Sequence, residues 1–298
     1  MNILTKTDLA KFEGTKQPEE ETSNFRLSFI LLPKTEKNAI CSIYNFCSYI
    51  DDIVDTPVSS DNTHEIKRQR LDFWEQVIDD IYSNNVFSPY IKSLVQIINR
   101  YNLPKQYFLT LIDGCRRDLN QNRYKTWNEL KDYCYSVASV VGLLSIEIFG
   151  YKYEETKNYA INLGYALQLT NILRDIKEDK DRAYIYLPLE DMEHFGYSEE
   201  DLFNEVYNEK FLELMRFEAV RAREYYHKAR QLLHPDEYLT TFSAGIMDEI
   251  YFRILEKIEL REYNVFKKKV SVSSIHKFMI MLKHWLHLLL FIRPRHRK

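Results

Sequence analysis

Apolar positions recur at helical spacing along nearly the whole chain. Ala39, Ile43, Phe46 and Ile50 fall at i, i+4, i+7 and i+11, which predicts a helix entered after Pro33 with Thr35 as its N-cap. Ile66, Leu71, Trp74, Ile78 and Ile81 predict a second helix over 64–84, after a loop at Pro57 to Asn62. Ile91, Leu94, Ile97 and Ile98 predict a third, closed by Asn102 and Pro104. Pro104 suits the first turn of the next, which carries Leu109, Ile112, Asp113 and Asp118. Thr126-Trp-Asn-Glu129 is a capping box that opens a long apolar helix to Phe149, stopped by Gly150. A central helix is expected over 153–178, then a loop with one short helical piece. Further helices are expected over 207–233, 236–266 and 271–292. The first 20 residues are polar and expected to fray.

Two of these helices break their apolar pattern in the same way. Gln168 to Asp179 reads QLTNILRDIKED, with Asn171, Asp175 and Asp179 at i, i+4 and i+8 and Gln168 three residues earlier. On a helix the four share one face. Tyr49 to Thr56 reads YIDDIVDT, with Asp51 and Asp55 at i and i+4 and Asp52 beside them. A lone run of helical carboxylates is usually a solvated face. Here Ile50, Ile53 and Val54 crowd one set and Leu169, Ile172, Leu173 and Ile176 the other, and the spacing repeats far apart in sequence. Two such faces opposed across a cavity would repel without cations between them. An all-oxygen set suits a hard cation such as Mg²⁺, and the cation would in turn draw an anion such as a diphosphate.

Composition narrows the rest. With 7 Gly and 8 Pro in 298 residues and no linker-like stretch, the chain reads as mostly helical, with residues 21–298 as one domain. A net charge of −3 gives no electrostatic case for a nucleic-acid partner. Cys41, Cys47, Cys115 and Cys134 form no CxxC pair, so buried reduced thiols are expected. The N-terminus has no sustained apolar leader, which leads to the expectation of a cytoplasmic protein. The last segment is too short and too interrupted by Lys283, His284 and His287 to span a bilayer. It predicts a helix packed on the core or, with its RPRHRK tail, peripheral membrane contact. His284 and His287 are expected to be structural, for want of a third ligand. Arg116, Arg117 and Asp118 suit a solvated helix face about as well as a phosphate site. The small residues Ser136, Ala138, Ser139 and Gly142 favour close helix packing over ligand space.

Five stretches together carry a resemblance. NFRLSFILLP, AICSIYNFCSYIDDIVD, LIDGCRRDL, YCYSVASVVGLLSIEIFGY and ALQLTNILRDIKED, with DRAYIYLP after the last, resemble the squalene and phytoene synthases, the head-to-head prenyl diphosphate synthases. The wording is most similar to the bacterial presqualene diphosphate and phytoene synthases, and the likeness runs from about Asn24 onward. It implies an all-α isoprenoid-synthase fold around a deep apolar cavity. It implies that Asp51, Asp55, Asn171, Asp175 and Asp179 bind Mg²⁺–diphosphate, with Asp52 and Gln168 nearby and Arg174 on phosphate. By the same likeness Tyr133 and Tyr251 contact diphosphate or steer intermediates, and Phe25, Phe29, Cys41, Val137 and Gly142 line the prenyl pocket.

The implied reaction couples two prenyl diphosphates through a cyclopropane, with diphosphate as the proton acceptor. NADPH enters only if squalene is the product. Phe25 and Phe29 are bulky and favour C15 chains, while the small Cys41 pulls the other way. Farnesyl diphosphate is therefore expected, giving presqualene diphosphate and from it squalene or dehydrosqualene. Phytoene from two geranylgeranyl diphosphates is the alternative. A class I terpene cyclase and a non-enzymatic helical scaffold also remain open. Two departures stand out: Ser48 replaces the family's Arg in C-R-x-x-D-D, and Arg182-Ala183-Tyr184 replaces R-G-R. Ser offers one neutral hydrogen bond in place of a charge. Lys268, Lys269 and Lys277 are candidates to make up the missing charge.

Overall fold

The computed structural model describes Leu9, Phe12, Ser28, Phe29 and residues 31–59, 62–85 and 88–292. Phe25 and the tail from Arg293 lie outside the described residues. The described chain is helical: α1 (Lys34–Asp55), α2 (His64–Tyr82), α3 (Lys92–Tyr101) and α4 (Lys105–Arg117) come first. Then follow α5 (Trp127–Phe149), α6 (Glu155–Asp181), α7 (Leu189–His194), α8 (Glu199–Phe203), α9 (Glu209–Leu232), α10 (Phe242–Leu260) and α11 (Ser274–Ile292). Among the described residues the only β pairing is two isolated bridges.

Most predicted helix ends hold. Thr126 Oγ1 accepts from the Glu129 N–H, and Gly150 ends α5 at φ +79°. Asn102 ends α3 in the left-handed region. Thr35 is not a cap: α1 begins at Lys34, and Pro33 turns the chain into it, its carbonyl accepting from the Lys37 N–H. Pro104 likewise sits at the N-cap of α4 rather than inside its first turn. The stretch after α6 holds two short helices instead of one. The second, α8, is opened by a Ser198–Asp201 capping box. Of the segment expected to fray, Leu9 and Phe12 are described, and both are buried. The Phe12 ring packs edge-on to Tyr49 and Trp74 at 5.6 and 4.9 Å. An apolar pair three apart in a polar stretch is too faint a sequence signal to predict that anchoring.

Among the described residues two large apolar clusters form most of the core, with a small third one of Leu143, Ile146 and Ala160 between α5 and α6. One gathers α1 to α4 with the second half of α5; the other gathers the first half of α5 with α6, α9 and α10. α5 therefore joins the halves, and small residues set how closely it does so. A Cβ on Gly142 would stand 2.9 Å from the Ala160 carbonyl oxygen, and one on Gly164 would meet the Ser139 Cα at 2.5 Å. The expected close helix packing is thus realised. Between these contacts α5 loosens into a π-turn over Tyr135–Ser139. The turn is flanked on its other side by Gly114 of α4, where a Cβ would meet the Ser136 Cβ at 2.7 Å. A π-turn re-aims the side chains around it, and Val137 and Ala138 on this one face the cavity described next.

Candidate active site

The last turns of α1 and α6 bring the two acidic stripes to one cavity of about 700 Å³, a size ordinary for small-molecule sites. Asp51, Asp52 and Asp55 line it from α1; Gln168, Asn171, Arg174, Asp175 and Asp179 line it from α6. Tyr133, Val137 and Gly142 come from α5, Tyr251 from α10, and Phe29 from the segment before α1. The wall away from the acids is mostly apolar and mixed in size: Ala138, Val141, Gly142, Ile146 and Phe149 on α5, with Tyr159, Ala160, Leu163 and Gly164 on α6. Both carboxylate sets sit near helix C-termini, where the backbone dipole adds negative potential and favours a cation.

Cys41 is not among the lining residues. The α1 stripe that reaches the cavity runs Tyr44, Cys47, Ser48, Asp51 and Asp55. One turn earlier Cys41 packs, half-buried, against the apolar cluster of α1 to α4. The other three thiols are buried, and none of the four is in a disulfide, as expected. Arg116 is also settled. It pairs with Asp72 and Glu75 of α2 and Asp113 of its own helix, in a surface network. The expected structural role of His284 holds too, since its Nε2 lies 2.9 Å from Glu249 Oε2.

Asp118 is the residue the sequence reading undervalued. It lines the cavity beside Asp51 and Asp55, and its Oδ2 accepts a hydrogen bond of 2.8 Å from the Tyr133 hydroxyl. Tyr133 and Tyr186 stack with centroids 5.4 Å apart, and Tyr184 stacks on Tyr186 at 5.9 Å, its hydroxyl donating to the Asp118 carbonyl. The signal was present: Leu111, Cys115 and Asp118 are i, i+4 and i+7, and all three face the cavity. Burial, reinforced by neighbouring carboxylates, pushes three acids up. Asp118 rises to about 7 and Asp179 to about 8, and Asp51 is raised as well. Carboxyls this costly to ionise mark a site that favours added positive charge.

Fixed cations already approach the acids. Arg182, from the loop after α6, crosses to α1 and grips Asp55 at 2.5 and 3.1 Å. Arg174 Nε donates to Asp175 Oδ1 at 2.8 Å, and Lys269 Nζ lies 3.0 Å from the same oxygen. Of the three lysines considered as replacement charge, Lys269 is on the wall and Lys277 is close enough to feel Arg174. Lys268 is not among the lining residues. The Arg182 loop is held from behind. Ala183 sits at φ +65°, and its carbonyl accepts from Arg123 Nη1 and Asn122 Nδ2 at 2.7 and 3.2 Å. Left-handed backbone is strained for Ala, so these bonds stabilise the turn that aims Arg182.

The model of the squalene/phytoene synthase family matches residues 19–276. The chain belongs to that family. Within it, the chain is similar to the phytoene synthase of Arthrospira platensis, 39% identical over 86% of each protein. It is also similar to the 15-cis-phytoene synthase of Synechocystis, 37% identical over 88% of this chain and 80% of that one. Among solved structures, a dehydrosqualene synthase in complex with ligand superposes at TM-score 0.79 with 26% identity, covering 96% of this chain and 98% of the other. A squalene synthase from Alicyclobacillus acidocaldarius gives 0.75 and 27%, over 89% and 97%. The protein is thus a prenyltransferase-type enzyme with the isoprenoid-synthase helical fold. The family's usual Arg position is Ser48, which lies on the cavity wall, and the Gly of its R-G-R turn is the strained Ala183.

Proposed function

We propose that the protein couples two geranylgeranyl diphosphates head to head and delivers phytoene. Head-to-head prenyl condensation rests on the family and on one observation above the others: two acidic helix faces open on a single cavity whose far wall is apolar. The C20 choice is supported by the phytoene synthases it resembles at 37–39% identity. The C15 expectation leaned on Phe25 and Phe29 against Cys41. Phe25 lies outside the described residues and Cys41 is not among the lining residues; Phe29 is, with the bulky Phe149 and Tyr159. Phe29, with the dehydrosqualene synthase likeness, keeps two farnesyl diphosphates as the second reading.

The oxygen-only donor set fits Mg²⁺. Asn171 Oδ1 is buried with no hydrogen-bond partner, a vacancy a cation would fill. Among the described residues no three acidic, His or Cys side chains cluster tightly enough to enclose a metal unaided. Mg²⁺ takes only part of its shell from protein oxygens and keeps phosphate oxygens and water for the rest. Asp51, Asp55, Asn171, Asp175 and Asp179 would hold it, where it would neutralise the diphosphate as leaving group. The chain's own groups do the rest. Arg174, Arg182 and Lys269 offer donors to diphosphate oxygens. The apolar wall keeps water from the allylic cation formed as the C–O bond breaks. Tyr133 and Tyr186 bring phenol oxygens to the cavity wall, the Tyr133 hydroxyl held by the Asp118 carboxyl. Across the reaction each substrate loses its diphosphate and the joined chain loses two protons, so no nicotinamide is consumed.

Incubation with each substrate and Mg²⁺, with products read by mass spectrometry, tests this directly: C40 supports the proposal, whereas C30 alone supports the second reading. Peripheral membrane contact through α11 belongs to the same proposal, supported by the exposed Ile275, Phe278, Met279 and Leu286 on one of its faces.

A further inference from the structure

The two acidic helix ends are closed in different ways. α6 closes itself. Its last turn carries the basic Lys180, and the left-handed Ala183 sends its N–H back to the Lys180 carbonyl at 2.9 Å. The Tyr184 N–H reaches the Asp179 carbonyl at 2.9 Å, which completes the closure. α1 has no such device. Its last turn holds no basic residue, and Thr56 leaves it extended, at φ −58° and ψ 129°. Thr56 returns its own N–H and hydroxyl to the Asp52 carbonyl, at 3.1 and 2.6 Å. The carbonyls beyond it need donors from elsewhere.

Those donors come from across the α1–α2 turn. Lys67, one turn into α2, is only 3% exposed. Its Nζ donates to the Val54 carbonyl at 2.6 Å and to the Thr56 carbonyl at 2.5 Å. Asn62, also buried, adds bonds from its Nδ2 to the Thr56 and Pro57 carbonyls at 3.4 and 3.1 Å. An ammonium taken out of water is costly unless its donors and its charge are both answered. Here two carbonyls answer the donors. The negative end of the α1 dipole and the nearby Asp55 carboxylate answer the charge. Val54 and Thr56 stand on either side of Asp55, so Lys67 grips the backbone from which that carboxylate projects, while Arg182 grips the carboxylate itself.

We propose that Lys67 is a positioning residue for the α1 carboxylates. It is not among the residues that line the cavity, and it acts through the backbone. It holds the last turn of α1 so that Asp51 and Asp55 meet Mg²⁺–diphosphate at a fixed spacing. This role rests on the metal-holding function proposed above for those two acids.

Calorimetric titration of the full chain with inorganic diphosphate, at a series of Mg²⁺ concentrations and with no prenyl substrate, tests it. Lys67→Met keeps the apolar stem and removes the charge and donors. It should raise the Mg²⁺ concentration needed for diphosphate binding about tenfold or more, with a lower thermal midpoint. Lys67→Arg keeps the charge and donors and should recover most of that loss. Asn62→Ala is the milder variant should Lys67→Met not fold, and it should shift the Mg²⁺ requirement in the same direction by a smaller step. The sign of the shift separates the alternatives. A lysine acting only by its charge would, on removal, leave Asp55 in a more negative field and lower the Mg²⁺ requirement. One serving only stability would lower the midpoint and leave the requirement of the folded protein unchanged. Either result would overturn the proposal. Wild-type protein that binds diphosphate equally with Mg²⁺ and with a chelator would instead remove the metal-holding function of the two acids, and the role of Lys67 with it.

Discussion

The acidic ends of α1 and α6 look alike in sequence and differ in their company. Asp175 on α6 has Arg174 beside it and Lys269 across from it, with Lys277 near that arginine. On α1, Asp51 faces Asp55, Asp118 and Asp52; Arg182, borrowed from the loop after α6, grips Asp55, and Lys67 of α2 lies close enough to feel the same carboxylate. Ser48 stands where the family's C-R-x-x-D-D motif would have placed a further cation. The comparison teaches that the two faces have separate tasks. The α6 face already holds cations able to grip a diphosphate, while the α1 face is an excess of negative charge that requires added cations.

Removing one carboxylate from either face should break both tasks, and this is the largest effect expected. Asp51→Asn and Asp175→Asn should each lower turnover by about 10²–10³-fold with an unchanged helical circular dichroism spectrum. Full activity in either variant would remove that carboxylate from the site. Next comes the packing that holds the faces at their separation. Gly164→Ala puts a methyl against the Ser139 backbone, so it should cost about 1–3 kcal/mol and lower the thermal midpoint. An unchanged midpoint would mean that the π-turn yields freely.

Ser48→Arg sharpens the comparison by giving the α1 face its own cation. It should lower KM a few-fold at constant kcat, since an arginine is a charged, bidentate phosphate donor and serine is not. A raised KM would mean that Arg182 already occupies that role. The smallest effect is on pH. The Asp118 carboxyl, near 3.8 when unfolded, is raised to about 7 chiefly by burial. The native state therefore keeps its proton across that window. The linked stability is full below about pH 4 and is lost as pH rises through 7. The metal-free protein should melt several degrees lower at pH 8 than at pH 5, and Asp118→Asn should flatten the slope. An unaltered slope would assign the pH dependence to another group.

How much of this was legible follows from where each signal lives. The helices and the pairing of Asp51 and Asp55 with Asn171, Asp175 and Asp179 are written in local spacing, and they emerged from it. Asp118 was passed over because Arg116 and Arg117 beside it suggested a solvated face. Only the packing of α4 turns the Leu111–Cys115–Asp118 stripe inward. Cys41 continues the α1 stripe in sequence, while the lining residues of α1 begin one turn later, at Tyr44. The crossing of Arg182 to Asp55 depends on the left-handed Ala183 and on Arg123, 60 residues away, and no local pattern encodes such a contact.

Product analysis is the most direct test of the central claim, that one cavity with two unequal acidic faces couples two C20 diphosphates. Purified protein would be given geranylgeranyl or farnesyl diphosphate, with Mg²⁺ or with a chelator. The account predicts a C40 hydrocarbon from geranylgeranyl diphosphate, absent when the metal is chelated. A C20 hydrocarbon from a single substrate, or C40 formed undiminished in chelator, would contradict it.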